Sequence, residues 1–183
     1  MAQSETEFVL VTEYFHPDTA STGQLMTDLA VGLKDRGLDI SVQTGQPNYH
    51  SVDNERQPRV SRYEGVQVKR IRAPQLRQSS LTRRLFNWTI FTCWMSVALL
   101  ISTASSRNRH IICVSNPPFL PIAIGFVCWI RRWDFTYIVY DLYPDFTVES
   151  GYIRSGGVVH RIWDWLSQQT FRCATNIVAL GPA

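Results

Sequence analysis

The sequence predicts an α/β protein: a Rossmann-like, doubly wound, mostly parallel sheet. Short apolar runs of strand length alternate with segments of helical periodicity along the chain. Hydrophobic residues make up 45% of the 183 and charged residues 18%, which supports one domain with a substantial core and argues against disorder. Right-handed crossovers between parallel strands then place helices on both faces.

The elements follow in order. Residues 7–12 read as a buried strand. In 21–36, Leu25, Met26, Leu29, Ala30 and Leu33 recur at helical spacing, and Gly37 marks the stop. Residues 39–44 alternate and meet a Gly/Pro loop. Residues 65–71 form the next strand, followed by a polar, basic loop and a long apolar helix over 85–103. A strand at 110–115 ends in Asn116-Pro117-Pro118, and a helix runs over about 120–132. A strand at 135–141, an amphipathic helix at 157–172 and a strand at 175–180 complete the series. No repeat or low-complexity linker interrupts it. Ligands of open parallel sheets collect beyond the carboxyl ends of strands, which singles out loops 13–24, 44–50, 115–119 and 141–150. With no helix after the last strand, a further segment is expected to complete the unit.

The net charge is only +3, but half of the 18 Lys and Arg fall within 56–84: Arg56, Arg59, Arg62, Lys69, Arg70, Arg72, Arg77, Arg83 and Arg84. Glu64 alone opposes them there. Such a face suits anionic lipid or a phosphate-bearing substrate; a solvated loop surface is the other reading. Residues 85–103 lack charge for long enough to span a bilayer and carry Phe86, Trp88, Phe91 and Trp94, with Arg83, Arg84 and Arg107 as flanks. Their Asn, Ser and Thr content favours a buried or interfacial helix. Cys93, Cys113, Cys128 and Cys173 lack metal-site spacing and read as reduced, mostly buried thiols. The polar start "MAQSETEF" is no secretory leader, so a cytoplasmic protein is expected.

Two loops carry candidate chemistry. The loop at 13–24 precedes a helix, where open backbone amides and the helix dipole favour an anion. Ser21, Thr22 and Gly23 could donate to a phosphate there, or Ser21 or Thr22 could simply cap the helix. One glycine stands where a dinucleotide fingerprint needs three. Asp141 ends a strand, with Asp145 and Glu149 beyond it. A carboxylate at that point can orient a hydroxyl or take its proton, or satisfy nearby backbone amides. His16 is placed for acid–base work or phosphate contact. No His/Cys/Asp cluster has metal-ligand spacing.

The stretches "VTEYFHPDTASTGQLMTDLAVGLKDRGLDISVQTGQPNY", "SNPP", "YDLYPD" and "NIVALGPA", in this order, resemble the N-terminal domain of family 4 glycosyltransferases of the GT-B fold, within the branch that assembles surface polysaccharides and glycoprotein glycans. The resemblance covers nearly the whole chain. Ala20 and Ser21 stand in place of the family's glycine pair, His16 in place of a proline, and Tyr143 in place of a tryptophan.

The resemblance implies retaining transfer of a sugar from a nucleotide sugar, a substrate and not a cofactor, to a glycan or polyprenyl-linked acceptor. Neither a metal nor a nucleic acid is implied. Ser21, Thr22 and Gly23 would lie near the donor diphosphate, Asp141 would be catalytic, and His16, Asn116, Asp145 and Glu149 would lie on the acceptor side. Arg70, Arg72, Arg77, Arg83, Arg84, Trp88 and Trp94 would meet an anionic membrane at its inner face. The family's nucleotide-sugar-binding C-terminal domain has no counterpart in 1–183. A non-catalytic subunit that recruits a separate C-terminal-domain chain is therefore the alternative reading.

Overall fold

The computed structural model describes residues 6–47, 56–74, 81–102, 108–149, 151 and 153–179. Seven strands form one sheet: β1 (Glu7–Val11), β2 (Ile40–Thr44), β3 (Val60–Tyr63), β4 (Val66–Arg70), β5 (Arg109–Val114), β6 (Asp134–Val139) and β7 (Asn176–Ala179). Their order is β3-β4-β2-β1-β5-β6-β7. Every pairing is parallel except β3 with β4. The helices are α1 (Ser21–Asp35), α2 (Leu81–Leu100), α3 (Leu120–Arg131), the short α4 (Asp145–Glu149) and α5 (Val158–Cys173).

Strand β1 is central, with Leu10 pairing Val42 on one side and Ile112 on the other. Its side chains alternate between two cores, as the two-residue strand period requires. Val9 and Val11 join Phe91, Met95 and Leu99 of α2, Ile124 and Val127 of α3, and Phe135. Leu10 joins Met26 and Ala30 of α1 with Val42, Val68 and Val114. A strand buried on both faces reads as an unbroken apolar run, which is why 7–12 was legible.

Helix α1 ends as predicted: the Gly37 amide donates to the Lys34 carbonyl, and Gly37 adopts a φ of 85°. Helix α3 closes instead on a non-glycine residue in that left-handed conformation, Arg132 (φ 55°). At the amino edge of the sheet Arg109 is buried, bonds Glu7 Oε2 at 2.6 and 2.9 Å, and lies over the Trp133 ring.

Three features differ from the expectation. Strand β3 turns back on β4 through Glu64 and Gly65, both at positive φ, as a two-residue hairpin demands. Helix α2 starts within the stretch read as basic loop. Cys113 and Cys128 are buried, whereas Cys93 and Cys173 are exposed; all four are free thiols. Among the described residues no helix is long and apolar enough to cross a membrane; α2 sets Phe91, Met95 and Leu99 against the sheet.

Phe135 is 1% exposed and packs in the α3 core against the Cβ-less surface of Gly125. Phe135→Ala should cost about 3–5 kcal/mol in urea unfolding; a loss under about 1 kcal/mol would mean that α3 does not seat on β6 as described.

Candidate functional site

The carboxyl edge of the sheet is built around the loop that leaves β1. Its backbone is held from three directions. The Gly45 amide (3.3 Å) and the Thr44 hydroxyl (3.0 Å) donate to the Glu13 carbonyl from the end of β2. The His16 amide donates to Thr27 Oγ1 of α1 at 3.1 Å. Arg70, at the end of β4, donates to the His16 carbonyl at 2.7 Å and to Ser61 Oγ at 2.6 Å. The loop is therefore fixed before any ligand arrives.

The loop delivers the chain into α1, whose N-cap is Ala20 and carries no side-chain cap. The first amide paired within the helix is that of Gln24, to the Ala20 carbonyl. Neither Ser21 nor Thr22 caps the helix, so the first-turn amides face outward at its positive end. Ser21 is exposed and Thr22 half-buried. Gly23 is buried and has a packing role that the sequence did not show. A Cβ there would lie 3.2 Å from Tyr14 Cβ and 3.4 Å from the Asp18 carbonyl. The crossing of the first loop over this position is itself a reason for glycine here.

A second cluster gathers where β5 and β6 end. Ser115 is fully buried and accepts both the Tyr140 amide (3.0 Å) and the Asp141 amide (3.1 Å) on its hydroxyl. That fixes the backbone of Asp141 and leaves its side chain part-exposed. Tyr143 stacks flat on Trp163 of α5, centroids 5.7 Å apart, and burial beside the Asp141 carboxylate pushes its hydroxyl up to about 12. The His16-Pro17, Asn116-Pro117 and Tyr143-Pro144 bonds are cis, and all three belong to loops of this edge. Asn116 is half-buried, one residue beyond Ser115, while Asp145 and Glu149 are exposed on α4.

Sequence reasoning missed Glu13 as part of this edge. It is 5% exposed, and its Oε2 has no hydrogen-bond partner. Burial pushes its carboxyl from 4.5 up to about 8; the Asp18 carboxylate adds to the rise, while Tyr14, Trp88 and Arg84 oppose it. Glu13 is thus neutral at pH 7. Arg84, on the first turn of α2, lies 5.1 Å over the Trp88 ring, and its charge lowers the titration of both Glu13 and Tyr143. One cation therefore connects the end of β1 with the loop after β6. An acidic residue at the end of a buried strand was the available signal; its partner, more than seventy positions away, was not.

The structure divides the remaining predicted residues. Arg70 is turned inward as a loop clamp, so it does not belong to an anion-binding surface. His16 stacks on Tyr63 at 3.9 Å, on the β3–β4 side. Four strand spacings, about 19 Å, separate β4 from β6, so His16 does not share the Asp141 side. Burial and the Arg70 charge lower its titration. Arg72, Arg83 and Arg84 are exposed at the carboxyl edge, Trp94 is exposed, and Trp88 is half-buried. Arg77 lies outside the described residues. Arg59, Arg62 and Lys69 of the basic run are exposed along the β3–β4 hairpin, where they guard an open sheet edge.

This sheet order, with helices on both faces and loops gathered at the carboxyl edge, is that of a Rossmann-like half of the GT-B glycosyltransferase fold. Sucrose-phosphate synthase from Thermosynechococcus elongatus superposes on the chain with a TM-score of 0.53 at 12% identity, over 94% of this chain and 41% of the synthase. The chain thus spans about two fifths of that neighbour. No protein-family model matches the sequence, and no curated protein matches it.

The raised Glu13 titration has a consequence for stability. Between about pH 4.5 and 8 the native chain holds a proton that the unfolded chain releases, so this group's contribution declines as pH rises through that window. Glu13→Gln keeps the neutral shape. Relative to wild type it should gain on the order of 4 kcal/mol at pH 8.5 and almost nothing at pH 4.5, by urea unfolding. A difference independent of pH would mean that Glu13 is ionised in the fold.

Proposed function

We propose that this chain is the acceptor-side half of a retaining, family 4-like glycosyltransferase, transferring a sugar from a nucleotide sugar to a lipid-linked glycan acceptor. The observation that carries the reading is the carboxyl edge itself: the open first turn of α1, Arg84, and Asp141 fixed by Ser115 stand on one rim. Departure of a nucleoside diphosphate builds negative charge, and amides and a guanidinium already aimed at the rim stabilise it without reorganising. Asp141, part-exposed beyond β6, orients the acceptor hydroxyl or takes its proton. The likeness to a sucrose-phosphate synthase supports the reading at the level of fold.

The nucleotide sugar would be held mainly by a second Rossmann-like half, joined to this one or supplied as a separate chain. Exposed Phe86 and Trp94 of α2, with Arg72, Arg83 and Arg84, suit a protein resting on the inner face of an anionic membrane. The alternative, a docking subunit without chemistry of its own, draws on β7, which is exposed along its length with Ile177 and Val178 open.

The test is Asp141→Asn in the enzyme assembled with its nucleotide-sugar-binding half. Turnover should fall roughly a hundredfold while the donor KM stays within about twofold. Unchanged turnover in a folded variant would remove Asp141 from the reaction and favour the docking reading.

A further inference from the structure

Helices α2, α3 and α5 cover one face of the sheet without closing over one another. Between them runs a groove of about 920 Å³, at the upper end of the roughly 300–1,000 Å³ of small-molecule sites. Among the described residues no charged side chain lines it. The hydroxyls of its threonines are withdrawn: Thr89 and Thr170 bond the carbonyls of Leu85 and Leu166 in their own helices, and that of Thr92 is buried. Gly125 forms part of the floor. Phe126, Trp129 and Trp165 border the groove while remaining 60%, 68% and 59% exposed. A polar ligand would need convergent donors and acceptors, and the groove offers almost none.

Charge marks one end. Arg84 and Arg83 lie about 7.5 and 9 Å along α2 from Thr89, toward the carboxyl edge, where Arg84 already faces Glu13 and Tyr143. We infer that the groove seats the hydrocarbon chain of an isoprenoid phosphate lipid, with its phosphate beside Arg84 and its chain running along α3 toward Trp129. This deepens the transferase reading and rests on it for the acceptor's identity: the lipid tail would lie in the groove while the sugar end reaches Asp141.

The chain carries its own reporters. Cys93 and Cys173 line the groove and are exposed, whereas Cys113 and Cys128 are buried with thiols pushed up by burial. Saturating geranylgeranyl phosphate should slow labelling of Cys93 and Cys173 by a water-soluble maleimide at least tenfold; inorganic phosphate should not. Ala123→Trp, which fills the groove from a half-exposed position, should weaken binding of radiolabelled geranylgeranyl phosphate at least tenfold in equilibrium dialysis. Trp129→Ser should weaken it less without adding bulk. Arg84→Glu should weaken it, whereas Arg172→Glu, at the far end of α5, should not. Lack of protection would overturn the proposal, as would equal protection by phosphatidylglycerol vesicles free of isoprenoid, which would make the face a bilayer surface. Chain binding in an assembled enzyme without sugar transfer would uphold the groove and sink the transferase reading. Transfer to a lipid acceptor without chain binding would do the reverse.

Discussion

Parallel pairing of β1 between β2 and β5 is the constraint on which the rest of the structure depends. With neighbours on both edges and cores on both faces, β1 can release the chain only at its ends. Parallel order places the ends of β2, β4, β5 and β6 on the same rim. The first loop is then tied to that rim by groups from other strands, Thr44 and Gly45 from β2 and Arg70 from β4. Its shape is a consequence of the sheet more than of its own turn chemistry.

The same burial produces the electrostatics. A carboxyl just beyond the buried end of β1, covered by α2, is desolvated and held neutral, and Arg84 becomes the exposed charge between the end of β1 and the loop after β6. In this low-dielectric setting a single guanidinium influences both sides of the rim. Arg70, close to Arg84 in sequence, is consumed as a clamp, so neighbouring arginines serve opposite purposes.

The strands and longer helices were legible because period-two and period-3.6 patterns are local properties. Strand β1, helix α1 and strand β6 lie within about two residues of their expected bounds. The β3–β4 hairpin was missed because its turn uses Glu64-Gly65, not one of the stronger Asn-Gly or Asp-Gly signals. At the site, Asp141 and the α1 N-terminus could be placed from strand ends alone. Glu13, Arg84, Tyr143 and Ser115 could not, since their relation depends on sheet order and long-range packing. The packing role of Gly23 was missed and Arg70 was misread for a related reason: a tight backbone crossing and an inward-turned cation leave no mark in residue type or spacing.

The account's central claim is that the carboxyl rim receives the diphosphate and the reacting end of the acceptor. Amide chemical-shift mapping of the chain with pyrophosphate tests the diphosphate half most directly. The account predicts saturable shifts at residues 21–24 and at Arg84, with smaller ones near 115–116 and 141–143. Shifts confined to the opposite rim, at 37–39, 64–65 or 132–134, or no shifts at saturating pyrophosphate, would contradict it.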